Sequence, residues 1–140
     1  MKQIPVIFWT GTGNTQMMAD AIAEAINAAG AEAVVKNISE ITADEAAGYD
    51  ALALGCPAMG AEVLEECEFE PFFTELEGKL AGKKVAIFGS YGWGGSYMQD
   101  WEARVKDAGA TLVADGVLAP GAPDDEAMAK LTEAGKLLAE

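Results

Sequence analysis

Short apolar runs alternate along this chain with longer stretches in which apolar residues recur every three or four positions. The short runs predict buried strands. They lie at residues 4–9, 33–35, 51–55, 84–89 and 111–118. The longer stretches predict helices, of which the second is broken near Gly78. They span residues 15–29, 69–80, 97–108 and 124–139. A brief fifth helix opens at residues 42–45, whose T-x-x-E pattern is that of a capping box.

Five strands alternating with five helices indicate the α/β class, because consecutive parallel strands need a helical crossover between them. We expect a three-layer α/β/α sandwich built on a five-stranded parallel sheet. Ligands of such sheets bind beyond the carboxyl ends of the strands, at the point where the strand order reverses. The loops after the first, third and fourth strands therefore form the candidate site.

Composition limits the classes of function. The 140 residues are enough for one domain, and 51% of them are hydrophobic, which is enough to build a core. The 9 basic and 23 acidic residues give a net charge of −14, which opposes binding to nucleic acid or to an anionic membrane surface. The chain has no histidine, the commonest general base and transition-metal ligand. Hydrolytic chemistry is thereby disfavoured, and we predict no metal site.

Two further features bear on location. No apolar run approaches the roughly 20 residues needed to cross a bilayer, and we expect no signal peptide. The chain has only two cysteines, Cys56 and Cys67, which are too few to stabilise a secreted domain by disulfide bonds and are not spaced as C-x-x-C. This favours a reducing compartment. We therefore expect a cytoplasmic protein in which both cysteines are small core fillers. Trp9 and Trp101 are likewise assigned to the core.

The loop after the first strand reads Thr-Gly-Thr-Gly-Asn-Thr over residues 10–15 and runs directly into a helix. Its glycines let backbone N–H groups turn toward one point, and the helix N-terminus adds partial positive charge. This combination predicts a phosphate cradle. The alternative is a tight turn capped by Thr10 or Thr15, but a cap needs one hydroxyl, whereas this loop has three threonines and an asparagine.

Missing residues narrow the choice of phosphate ligand. A nucleoside-triphosphate loop requires a lysine that is absent here, and Gln16 replaces the third glycine of the dinucleotide fingerprint. The acids of a receiver domain are absent after the first and third strands, and the first loop lacks the cysteine and arginine of a small phosphatase. A terminal monophosphate held without a cation remains.

Four segments resemble the flavodoxins, and in particular the short-chain flavodoxins of anaerobic, clostridial-type bacteria. They are residues 6–15, 55–62, 68–72 and 89–94. The first segment resembles the FMN-phosphate signature of that family, and the likeness covers nearly the whole chain, fading after about Thr111. The resemblance implies one flavodoxin-like FMN-binding domain over residues 1–140, with strand order 2-1-3-4-5.

The same resemblance assigns residues to FMN binding. They are Thr10, Gly11, Thr12, Gly13, Asn14, Thr15, Pro57, Ala58, Met59, Gly60, Ala61, Glu62, Ser90, Tyr91, Gly92, Trp93 and Gly94. Residues 10–15 and Ser90 would hold the phosphate, while Pro57 and Ala58 would line the ribityl chain. Glu62 would accept a hydrogen bond from flavin N3–H.

Redox tuning is implied at Met59, Gly60 and Trp93. Trp93 would stack on the outer face of the flavin, which its glycine-flanked loop also favours, and Met59 would cover the inner face. In the family the carbonyl of the glycine matching Gly60 rotates toward flavin N5 and stabilises the neutral semiquinone. Ala61 departs from the Asp or Ser that often follows this glycine, so the size of that stabilisation is open. Taken without the resemblance, Met59 could equally be a core filler, whereas four glycines within residues 89–95 disfavour a core position for Trp93.

Seven acids and no base lie within residues 61–78. They are Glu62, Glu65, Glu66, Glu68, Glu70, Glu75 and Glu77. One interpretation is a solvated helix face, the usual fate of such runs. A second, compatible interpretation places them beside the flavin, where repulsion would lower the potential for the second electron. The acids would also steer the protein toward basic docking surfaces.

These expectations converge on a low-potential one-electron carrier that binds FMN non-covalently, shuttles between semiquinone and hydroquinone, and transforms no substrate. We expect a monomer whose partners are redox proteins with basic docking surfaces, such as oxidoreductases that also use ferredoxin. One alternative is an FMN-dependent NAD(P)H:quinone-type reductase of the same fold, but a chain of this length leaves little room for a substrate pocket. A flavin-free interaction module is the third hypothesis, and the intact phosphate and aromatic loops argue against it.

Overall fold

A computed structural model describes residues 2–9, 13–57, 68–91, 96–119 and 121–140. All strand pairs in its sheet are parallel. The strands are β1 Gln3–Phe8, β2 Glu32–Asn37, β3 Ala51–Gly55, β4 Lys84–Ser90, β5 Thr111–Leu112 and β6 Val117–Ala119. The α-helices are α1 Asn14–Ala28, α2 Ala43–Ala46, α3 Phe69–Glu77, α4 Ser96–Asp107 and α5 Asp125–Ala139. These elements confirm the predicted α/β class, with boundaries shifted by at most three residues apart from the fifth strand.

The strand order is β2-β1-β3-β4-β5, with β6 also paired to β4, so the predicted order 2-1-3-4-5 is confirmed. The chain moves outward from β1 to β2 and then crosses back to β3 on the other side of β1. This reversal places the topological switch point between β1 and β3. A ligand site is expected beyond the carboxyl ends of those two strands.

The predicted single fifth strand over residues 111–118 was wrong in detail, because it is divided into β5 and β6. Along β4 the register advances three residues, from Val85 to Phe88, while the partner advances five, from Leu112 to Val117. The two extra residues leave the sheet, and the backbone N–H of Gly116 donates instead to Glu102 Oε2 of α4, at 2.6 Å. The apolar character of this stretch conceals such a bulge from a reading of the pattern alone.

The helices cover both faces of the sheet, which makes the molecule the three-layer sandwich that we expected. α1 and α5 pack on the first face, with Met18, Ile22 and Ile26 of α1 fully buried as their spacing predicted. α2, α3 and α4 pack on the second face. No helix within the described ranges is both long enough and apolar enough to span a bilayer.

Aromatic side chains join α3 to α4 on the second face. Trp101 of α4 is buried, as predicted, and meets Phe69 and Phe73 edge-on, with ring centroids 5.4 and 6.0 Å away. Such edge-to-face pairs add to the free energy of burial. They hold α3 in place a few residues after 57–62, one of the segments assigned to the cofactor.

Candidate functional site

The carboxyl ends of three strands lie side by side at one edge of the sheet. Phe8, Gly55 and Phe88 are in register across β1, β3 and β4. The alignment continues past the strand ends, where the backbone N–H of Trp9 donates to Gly55 O and that of Cys56 donates to Phe88 O, both at 3.0 Å. The segments that leave β1, β3 and β4 therefore emerge together, as the strand order predicted.

The N-terminus of α1 has features that favour a bound anion. Gly13 precedes the helix in the left-handed conformation, with φ of 92°, and provides no side-chain cap. No acidic residue lies in the first turn of α1, and a Cβ built at Gly13 would meet no atom within 4 Å. N–H groups at a helix start that lack intrahelical acceptors, together with the helix dipole, favour a phosphate or a carboxylate at such a position.

Two buried hydroxyl groups converge behind this helix start. Thr15 Oγ1 lies 3.4 Å from Ser90 Oγ, and the two residues are only 1% and 6% exposed. Thr15 is on the first turn of α1 and Ser90 is the last residue of β4, so the pair joins two of the predicted phosphate positions across 75 residues. Each hydroxyl can donate one hydrogen bond and accept others. The pair is suited to a phosphate oxygen.

These features fit the terminal phosphate of FMN. The site offers neutral donors from the backbone and from Thr15, Ser90 and Asn14, and the first turn of α1 contains no carboxylate to repel a dianion. Asn14 Nδ2 lies 4.0 Å from the position that a Cβ would take on Gly121. The loop after β6 therefore also approaches the phosphate end, a contribution that our sequence analysis missed. The strand order alone could have indicated it, because β6 lies beside β4 and ends at the same edge.

Close packing behind Ser90 supports this position. The Tyr97 hydroxyl donates to the carbonyl oxygen of Cys56 at 2.9 Å, and burial raises the pKa of Tyr97 far above its usual range. A Cβ on Gly89 would collide with both the Cys56 carbonyl and the Tyr97 hydroxyl. Glycine is therefore required at position 89 because the backbones of β4 and of the segment after β3 approach closely.

The other assigned residues divide into two groups. Pro57 and Tyr91 lie half-buried at the same edge, and the N–H of Tyr91 donates to Ala119 O at 3.0 Å. The remaining assigned residues lie outside the described residues and stay predictions. They are Thr10, Gly11, Thr12, Ala58, Met59, Gly60, Ala61, Glu62, Gly92, Trp93 and Gly94.

The cysteine and tryptophan predictions have mixed outcomes. Cys56 is fully buried, which confirms its assignment to the core, and Cys67 lies outside the described residues. The core assignment of Trp9 was wrong in part, since this residue is only half-buried against the second face. Its indole Nε1–H donates to Glu68 Oε1 at 3.2 Å. A partly exposed position lets Trp9 pack its ring and still satisfy the polar end.

The acids of α3 are not a uniformly solvated face, so that interpretation was wrong for two of them. Arg104 of α4 contacts Glu70 through Nη1 at 2.6 Å and through Nη2 at 2.8 Å, and it contacts Glu77 through Nε and Nη2. Its guanidinium also lies 4.7 Å from the ring centroid of Phe73. The hydrogen bonds from Arg104 lower the pKa of Glu70, and those carboxylates raise the pKa of Arg104. The base comes from another helix, which is why the local sequence gave no sign of it.

The likeness to known proteins accords with this geometry. A family model described as "Flavodoxin" matches residues 6–135. The chain belongs to the flavodoxin family. It is 47% identical to the flavodoxin of Clostridium beijerinckii over 135 residues, which cover 96% of this chain and 97% of that protein. It is also 47% identical to the flavodoxin of Megasphaera elsdenii over 116 residues, covering 82% of this chain and 85% of that one.

Similarity to a solved structure supports the same family assignment. The solution structure of two-electron reduced Megasphaera elsdenii flavodoxin matches with a TM-score of 0.89 and 43% identity, over 97% of this chain and 98% of that one. Flavodoxins bind FMN and carry electrons at low potential. This member of the family is accordingly an FMN-binding electron carrier and not a catalyst, which removes the reductase and flavin-free alternatives. Redox proteins are the partners that the family implies.

Proposed function

We propose that this flavodoxin binds FMN at the carboxyl edge of its sheet, with the phosphate at the N-terminus of α1, and transfers one electron at a time. The buried pair of Thr15 and Ser90 hydroxyls, 3.4 Å apart, carries this proposal. Neutral donors that converge beside the start of a helix are suited to a phosphate group and serve no evident role in the hydrophobic core. FMN supplies reversible one-electron transfer when it is bound.

Different residues of the chain would bind different parts of FMN. Gly13, Asn14, Thr15 and Ser90 would hold the phosphate, and Pro57 and Tyr91 would border the rest of the cofactor. The family resemblance assigns the isoalloxazine to residues 58–62 and 92–94. We propose the whole of residues 1–140 as one FMN-binding domain, because the family model spans most of it and both faces of the sheet are covered by its own helices.

The charge of the protein supports a low potential and basic partners. The net charge is −14, so the protein as a whole repels added negative charge. Carboxylates near the cofactor oppose the addition of negative charge, and the opposition is strongest where water is partly excluded. The acids would also speed encounters with redox proteins that present lysine and arginine. A cytoplasmic location remains a proposal that rests on the cysteine content.

A spectroscopic titration tests this proposal. Apoprotein would be titrated with FMN and with riboflavin, and the complex would then be reduced stepwise without oxygen. We expect tighter binding of FMN than of riboflavin and two resolved one-electron steps. Equal affinities would contradict the phosphate site, because riboflavin lacks the phosphate. Reduction in a single two-electron step, together with steady turnover of NAD(P)H and a quinone, would contradict the carrier function.

A further inference from the structure

A shallow groove of about 370 Å³ lies between α1 and the start of α5. Its apolar wall is formed by Met17, Ala21, Pro123 and Met128. Met17 and Met128 are 45% and 41% exposed, and Val35 is the one other large hydrophobic residue with high exposure within the described ranges. Two of the three most exposed large apolar side chains of the described residues therefore line the same groove.

The two charged residues that line the groove are both acidic. Asp20 and Glu24 of α1 line it, are exposed and are four residues apart on one helix face. Neither forms an ion pair with another described residue. Lys130, two residues after Met128 on α5, is already paired with Glu126, at 3.2 Å. An incoming positive charge would therefore meet two available carboxylates beside an apolar surface.

The groove also adjoins the phosphate end of the candidate site. Met17 belongs to the first turn of α1, and its N–H donates to Gly13 O at 3.1 Å. Pro123 lies two residues after Gly121, on which a Cβ would be 4.0 Å from Asn14 Nδ2. A protein seated in the groove would therefore lie against the edge of the sheet that carries the proposed cofactor.

We propose that this groove is a docking surface for redox partners, and that its occupant is an apolar side chain flanked by lysine or arginine on a basic protein. The proposal rests on the proposed electron-carrier function. Methionine side chains are flexible and polarisable, and such surfaces adapt to partners of different shape. The carboxylates select positive charge and set the orientation of approach. A second copy of this chain is a poor occupant, because each copy has a net charge of −14.

The test compares matched variants of the FMN-loaded protein. M17Q/M128Q replaces both methionines with a polar residue of similar length and helix propensity. V35T is the control, because it makes the same kind of change at the 39% exposed Val35 of β2. D20N/E24Q removes the two charges and keeps the shapes. The probe is a basic c-type cytochrome, whose ferric haem accepts one electron from the reduced carrier and becomes ferrous.

Two measurements report on docking. Backbone amide shifts of the oxidised, isotope-labelled protein are followed as oxidised cytochrome is added, and the second-order rate of electron transfer is measured by stopped flow. We expect shifts centred on the groove, and a rate at low ionic strength at least about fivefold lower in M17Q/M128Q. V35T should match the parent protein. D20N/E24Q should lower the rate and weaken its dependence on salt.

Other outcomes overturn the proposal. A rate in M17Q/M128Q equal to that of V35T, or amide shifts that avoid the groove, would show that partners dock elsewhere. Concentration-dependent dimers in sedimentation that disappear in M17Q/M128Q would assign the groove to a second copy. Failure of the proposed carrier function is distinguishable, since the parent protein would then transfer no electron to the cytochrome whether or not the amide shifts locate a contact.

Discussion

The indole Nε1–H of Trp9 donates to Glu68 Oε1 across 3.2 Å and so connects two segments that are distant in the sequence. Trp9 directly precedes residues 10–12 of the phosphate loop, and Glu68 directly follows residues 58–67. Glu68 also directly precedes α3, and its carbonyl accepts from the N–H of Phe72 at 3.3 Å. One side-chain contact therefore anchors the ends of two segments assigned to the same cofactor.

Removing this donor should weaken FMN binding with little loss of folding stability. We expect W9F to bind FMN about two- to tenfold more weakly, which corresponds to one ordinary hydrogen bond. E68Q keeps an oxygen acceptor and removes one charge. It should retain FMN affinity and raise the potential for the second electron by on the order of 10–40 mV, the equivalent of about 0.2–1 kcal/mol. Equal FMN affinity in W9F and the parent protein would show that the contact does not position either segment.

Loss of the Thr15 hydroxyl should reduce affinity for the phosphate specifically. T15V keeps the shape and the branched Cβ, and it removes the group that lies 3.4 Å from Ser90 Oγ. We expect FMN to bind roughly ten- to a hundredfold more weakly, because hydrogen bonds to charged groups contribute about 1.5–3 kcal/mol. Riboflavin affinity should not change. T132V is the control, since Thr132 donates to Met128 O within the exposed face of α5. An equal loss for both ligands would assign Thr15 a structural role only.

The contacts of Arg104 should stabilise the packing of α3 on α4. R104K keeps the charge but loses the planar arrangement that binds Glu70 and Glu77 together. The group is 30% exposed, so water weakens the pairs, and we expect a loss of about 1–2 kcal/mol in the free energy of unfolding. K130M, which breaks the exposed pair with Glu126, should cost less than about 0.5 kcal/mol. Chemical denaturation of both variants measures the difference, and similar losses would contradict the ranking.

Acid should remove part of that stability. The hydrogen bonds from Arg104 place the pKa of Glu70 in the folded protein below its ordinary value of 4.5. The contribution of Glu70 is therefore complete above the unfolded pKa and is lost as the pH falls through the folded pKa. We expect the parent protein to lose more stability than E70Q when urea unfolding is followed from pH 6 to the lowest pH at which both fold. Parallel curves for the two proteins would rule out this linkage.

The close approach at Gly89 should make alanine destabilising there. We expect G89A to cost about 1–3 kcal/mol, as overpacking does, because the new methyl group would meet the Cys56 carbonyl and the Tyr97 hydroxyl. The double variant G89A/Y97F should recover part of that loss, since one of the two obstacles is removed. G78A is the control, because a Cβ there meets nothing within 4 Å and φ is −73°. It should be neutral or stabilising by up to about 1 kcal/mol. Thermal unfolding of G89A, G89A/Y97F and G78A measures these differences in stability. An unchanged stability of G89A would show that the backbone at this edge of the sheet shifts to make room for the methyl group.

Local pattern was sufficient to predict most of the scaffold. The face of Met18, Ile22 and Ile26 is buried as their spacing predicted, and Thr42 forms the predicted capping box with Glu45. Both features depend on residues three or four positions apart, whose relation is set by helix geometry. The fifth strand was less predictable, because its interruption depends on the contact between Gly116 and Glu102 of another element.

The candidate site likewise has features that the sequence predicts and features that only the tertiary structure shows. The amino-acid sequence by itself determined the strand and helix alternation, the acidic charge and the family resemblance, and it predicted the phosphate loop, because each is a local or compositional property of the chain. Only the tertiary structure decided that Thr15 meets Ser90, that Trp9 meets Glu68, and that Arg104 neutralises two acids of α3. These pairs are 75, 59 and at least 27 residues apart. Contacts at such separations depend on strand order and helix packing, which side-chain periodicity does not encode.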